Sequence, residues 1–103
     1  MVTRTQLNNL AKQAPQDHRF WAAFVAHTEF LWQDTALIPD GVAWQRQWFE
    51  LEILNALALA EWEEQGRADD WTAPWRATYQ QDAIQLMYCL KNKCSVKSSM
   101  LAR

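Results

Sequence analysis

Residues 42–65 read VAWQRQWFELEILNALALAEWEEQ, and this stretch decides the fold. It holds no proline and no glycine, and Gly66 follows it as a natural helix terminator. Its apolar residues recur with the period of an α-helix, so one long helix is expected from about Val42 to Gln65. The pattern is double. One apolar stripe holds Trp44, Trp48, Leu51, Leu59 and Trp62. The other holds Phe49, Ile53, Ala56, Leu57 and Ala60, roughly 150° away on the helical wheel. Arg46, Gln47 and Glu50 run between them on one side, with Gln45, Glu52 and Glu63 on the other. A surface helix with one wet face carries one stripe; two stripes fit a helix central in a bundle, or a helix with one stripe against another chain. If the tryptophan stripe is not covered within the chain, it leaves a patch too large for a stable monomer. The expectation is then a dimer or hetero-complex through this helix, with Trp48→Glu giving a folded monomer.

The flanking sequence supplies three more helical segments. The first spans about Thr5 to Ala14, capped by Thr3 or Thr5 and ended by Pro15, with Leu7, Leu10, Ala11 and Ala14 on one stripe. The second spans about Asp17 to Gln33, with Phe20, Trp21, Phe24, Val25, Thr28, Leu31 and Trp32 inside an arc of about 140° and Phe30 nearly opposite. Residues 34–41 form a loop closed by Pro39-Asp40-Gly41, under which Leu37 and Ile38 are expected to tuck. Residues 66–73 form a second loop, which carries Trp71. The last helix starts near Pro74 and runs to Lys91, with Trp75, Tyr79, Ala83, Leu86 and Leu90 on one face and Ile84 and Tyr88 off it. The expected architecture is all-α: a small bundle of three long helices plus a short N-terminal helix. Residues 1–93 make a single α-helical domain, followed by a flexible basic tail over 94–103.

Composition agrees with this reading. Seven of 103 residues are tryptophan, half are hydrophobic, and there are two glycines and three prolines. Such a chain is globular and helix-rich. Its net charge of −2 is too small to argue for a nucleic-acid or membrane partner. The charge is unevenly spread: residues 29–82 carry eleven acids against three arginines, while 83–103 carry four basic residues and no acid. No apolar window of about 18 residues could span a membrane, and the first residues, MVTRTQLNNLAKQ, show no leader-like apolar stretch. Cys89 and Cys94 match no zinc spacing, and read as free thiols of a reduced, cytoplasmic protein.

Catalytic vocabulary is sparse. His27 and Glu29 are two apart, the wrong spacing for two ligands on one helix face, so no metal or cofactor is expected. No nucleophile–base motif flanks Cys89 or His27, and two glycines cannot build a phosphate loop. The expected function is therefore a non-catalytic protein–protein interaction module. It would bind a macromolecular partner or itself through tryptophan-rich helical surfaces, with Phe30, Trp44, Trp48, Trp62, Trp71 and Tyr88 as contact residues. Small size and lack of chemistry also suit an inhibitor carried by a phage or plasmid against a host defence complex. The alternative is a small helical DNA- or RNA-binding regulator using Arg4, Lys12, Lys91, Lys93 and Lys97. Against it stands the acidic long helix, which would repel phosphate.

Overall fold

The computed structural model describes residues 3–92. Five helices follow one another: α1 (Arg4–Gln13), α2 (His18–Thr28), α3 (Gly41–Glu64), α4 (Thr72–Thr78) and α5 (Gln80–Asn92). Short 3₁₀ turns at Ala14–Gln16 and Leu31–Gln33 extend the first two, and no strand occurs among the described residues. The all-α reading holds. The tail over 94–103, with Lys97, lies outside the described residues, as does Lys93.

Local chemistry sets the helix ends. Thr3 caps α1: its hydroxyl accepts from the Gln6 N–H at 3.1 Å, and the Gln6 side chain accepts from the Thr3 N–H at 2.9 Å. Asp17 and Asp40 cap α2 and α3 through their carboxylates. Gly41 could not carry a side chain, because a Cβ there would sit 2.7 Å from the Trp32 carbonyl oxygen. At the other end of α3, Gly66 takes φ +93° and the chain reverses, with the Arg67 N–H donating back to the Trp62 carbonyl at 2.9 Å.

Two of the expected helices are shorter than their periodicity suggests. The second ends at Thr28 instead of Gln33. The Thr28 hydroxyl donates to the Phe24 carbonyl at 2.7 Å, a back-bond that bends helices, and Phe30 leaves the helical region at φ −108° and ψ 10°. The last helix is broken at Tyr79 into α4 and α5. The Tyr79 ring stacks on Trp75 at 5.8 Å, and its hydroxyl donates to the Leu57 carbonyl at 3.4 Å. These side-chain contacts accompany a local backbone departure at φ −116° without a glycine or proline.

The core is built on α3. Trp48, Leu51, Leu54 and Ala58 are buried along it, and α2 and α5 pack on either side of this row. α2 contributes Trp21, Phe24, Val25 and Thr28; α5 contributes Ala83, Leu86, Met87 and Leu90. Leu7 and Ala11 of α1 close one end, and Leu37 and Ile38 tuck in from the loop. Phe20, expected on the inner stripe of the second helix, is half exposed. Indole N–H groups tie the elements together. Trp21 donates to the Leu51 carbonyl at 3.1 Å, Trp48 to the Thr28 hydroxyl at 3.0 Å, and Trp75 to the Pro15 carbonyl at 2.9 Å. Each places a large apolar body in the core and satisfies its one polar atom there.

Candidate functional site

The tryptophan excess is spent mostly inside. Trp21, Trp71 and Trp75 are fully buried and Trp48 nearly so, while Trp44 and Trp62 are half-buried against the same core. The tryptophan stripe of α3 is thus its inner side, which corrects the expectation that it forms the contact surface. The second apolar stripe is the outer one. Phe49 is 52% exposed, Ile53 45% and Leu57 47%, and Ala56 and Ala60 are exposed beside them. Val42, on the same face near the helix start, is 68% exposed.

This outer face is a continuous feature. Val42, Phe49, Ile53, Ala56 and Ala60 are separated by seven, four, three and four residues, and Arg46 and Glu63 fall on the same seam. Such spacing keeps side chains in line along a helix and is the spacing of a coiled-coil seam. Leu57 widens the strip towards Glu50, and Leu59, expected on the tryptophan stripe but exposed, borders it on the other side beyond Glu52. The Phe49 ring lies edge-on to Trp48 at 5.7 Å, which steadies it from below. Phe49, Ile53 and Leu57 thus stand together as three half-exposed apolar side chains in one row.

The six residues expected to make contacts are scattered. Phe30 and Tyr88 are exposed. Trp71 is in the core, because its loop folds back: its indole N–H donates to the Gln65 side chain at 2.7 Å. Trp62 donates to the Ala68 carbonyl at 2.8 Å, holding the other side of the same loop. Trp62 and Trp71 flank His18, with ring centroids 5.5 and 5.1 Å from the imidazole. Burial pushes the His18 imidazole below its ordinary pKa of 6.5, against the pull of the Asp17 carboxylate 3.3 Å away. Burial works against ionisation of Asp17 as well, but the Arg19 backbone N–H and guanidinium outweigh it and hold that carboxyl below its usual range. The cluster is a packed support for the α3–α4 loop.

The basic candidates are partly brought together. Lys12 and Lys91 line one cleft with Pro15, Gln16, Ile84 and Tyr88. Arg4 is elsewhere, donating to the Leu37 carbonyl at 3.3 Å, and Lys93 and Lys97 lie outside the described residues. Among the described residues no three histidine, cysteine or acidic side chains are grouped to hold a metal ion. No described helix is long and apolar enough to cross a membrane.

Cys89 corrects the thiol reading. It is buried at the base of α5 and disulfide-bonded, so it is not a free thiol.

The outer stripe of α3 was legible as apolar in the sequence; what the sequence did not mark was its direction. No protein-family model, characterised protein or solved structure matches the chain.

Proposed function

We propose that this chain is a non-catalytic protein–protein interaction module that binds through the outer face of α3. The observation that carries the reading is the exposed row of Phe49, Ile53, Ala56, Leu57 and Ala60 on a 24-residue helix whose opposite side is anchored in the core. A helix held this way presents a pre-ordered surface, so little conformational entropy is lost when a partner docks on it. Helix-on-helix recognition reads such i, i+4 and i+7 anchors.

The test is a comparison of wild type with Ile53→Glu as bait in a host lysate. The variant keeps its helical spectrum and melting temperature, because Ile53 is half exposed, and loses the proteins that wild type retains. Identical capture by the two proteins refutes the reading.

The nucleic-acid alternative gives a different expected result. Binding through several lysine–phosphate contacts weakens steeply with salt, by close to one log unit of slope per contact. The seam that α3 presents is edged by Glu50, Glu52, Glu63 and Glu64. No duplex binding is expected at about 150 mM salt, the physiological range where weak backbone contacts are screened. A sub-micromolar gel shift that fades with salt would reverse the ranking.

A further inference from the structure

We infer that the occupant of the α3 outer face is a second copy of this chain, docked antiparallel. The inference rests on the interaction-module reading and names its partner. Along the seam two large side chains, Phe49 and Ile53, are followed by two small ones, Ala56 and Ala60, an order that fits itself when reversed. Setting Ile53 against Ala56 of the second copy places Phe49 against Ala60 and Arg46 against Glu63. The arrangement is isologous: each of these contacts occurs twice, once on either side of the two-fold axis. Phenylalanine and isoleucine knobs then face alanine notches in every central layer, which fills volume without clash. The helix supplies the length, since 24 residues give about 36 Å of rod.

Charge selects the same register. In the antiparallel pair both ends carry an arginine opposite a glutamate. Glu63 already accepts from Arg67 of its own chain at 3.0 Å, and a carboxylate has room for a second guanidinium. Along the flanks, Glu50 comes to lie beside Leu57 of the other copy and Glu52 beside Leu59, so acid does not meet acid. Parallel pairing instead opposes Arg46 with Arg46 and Phe49 with Phe49, and brings Glu50 towards Glu52. Like charges across a seam discriminate against that arrangement. The contact is at the small end of specific interfaces, so a dimer of micromolar strength is expected.

Sedimentation of the full chain from about 1 to about 200 µM, a range that brackets micromolar dissociation constants, decides the matter. Wild type shows a concentration-dependent monomer–dimer equilibrium, and Ile53→Glu stays monomeric with an unchanged helical spectrum. Arg46→Glu weakens the dimer by about tenfold or more, since it sets acid against Glu63 at both ends, and the double variant Arg46→Glu/Glu63→Arg recovers to within about threefold. Wild type that remains monomeric throughout overturns the inference, as does a dimer that survives Ile53→Glu. A double variant that fails to recover overturns the antiparallel register. The lysate comparison is read separately: a monomeric wild type whose captured proteins are lost on Ile53→Glu keeps the interaction module and removes only the second copy as its occupant.

Discussion

Trp48→Glu is expected to leave the chain unfolded at room temperature, while Phe49→Glu, one residue further on, leaves it folded. Trp48 is 5% exposed, and its indole N–H donates to the Thr28 hydroxyl, which itself donates to the Phe24 carbonyl. Removing a buried tryptophan side chain costs about 3–5 kcal/mol in lost burial and cavity. Placing a carboxylate at this buried position adds the desolvation of a charge, several kcal/mol more. A domain of this size has about 5–10 kcal/mol of stability in all. Phe49 stands differently. It is half exposed, and the Trp48 edge contact is worth about 1 kcal/mol, part of which the better helix propensity of glutamate offsets. Far-UV circular dichroism and urea titration of the two variants check the contrast. A folded Trp48→Glu would show that the inner row is not core; an unfolded Phe49→Glu would show that the outer row is.

The same pair of residues shows how far the sequence could be read. The extent of α3 was legible, because uninterrupted helical periodicity runs up to Gly66 and the observed Gly41–Glu64 differs by one residue at each end. Which stripe faces inward was not, because periodicity reports where apolar side chains lie on a helix and not what covers them. Leu54 and Ala58 carried a usable signal. They lie beside Leu51 on the side away from Trp62 on the wheel, and make the inner stripe the broader one. Tryptophan's frequency at interfaces does not separate the two sides, since its indole serves equally well in a core that offers the N–H an acceptor. Four of the seven indoles are in that position, bonded to Leu51, Thr28, Gln65 and Pro15. Trp71, in a loop beside Asp69 and Asp70, suits either a partner contact or a loop folded back onto the neighbouring helices; the Gln65 amide and the edge of His18 hold it inside, and both contacts depend on tertiary packing. The break at Tyr79 was invisible for the same reason, since no helix-breaking residue marks it.

Trp75→Ala is the second large effect. Trp75 has no exposed surface, and its ring lies 6.0 Å from that of Trp21 and 5.8 Å from that of Tyr79. One side chain therefore joins α4 to α2 and anchors both to the 3₁₀ turn after α1, through the Pro15 carbonyl at 2.9 Å. Truncation to alanine is expected to cost about 3–5 kcal/mol, the range for buried aromatic-to-alanine changes. Loss of the hydrogen bond adds little to that, because the Gln80 amide also donates to the Pro15 carbonyl at 3.1 Å and keeps it satisfied. Trp75→Phe separates the two contributions. It retains much of the apolar body, and is expected to lose about 1–2 kcal/mol for the smaller ring and the missing N–H. Urea midpoints should fall in the order wild type, phenylalanine, alanine, with the dependence on urea concentration unchanged if each variant unfolds from the same native state. A loss under about 1 kcal/mol for Trp75→Ala, less than a third of the usual range, would mean that α4 is not docked on the core as described. A phenylalanine variant as unstable as the alanine one would shift the weight from ring packing to the Pro15 hydrogen bond.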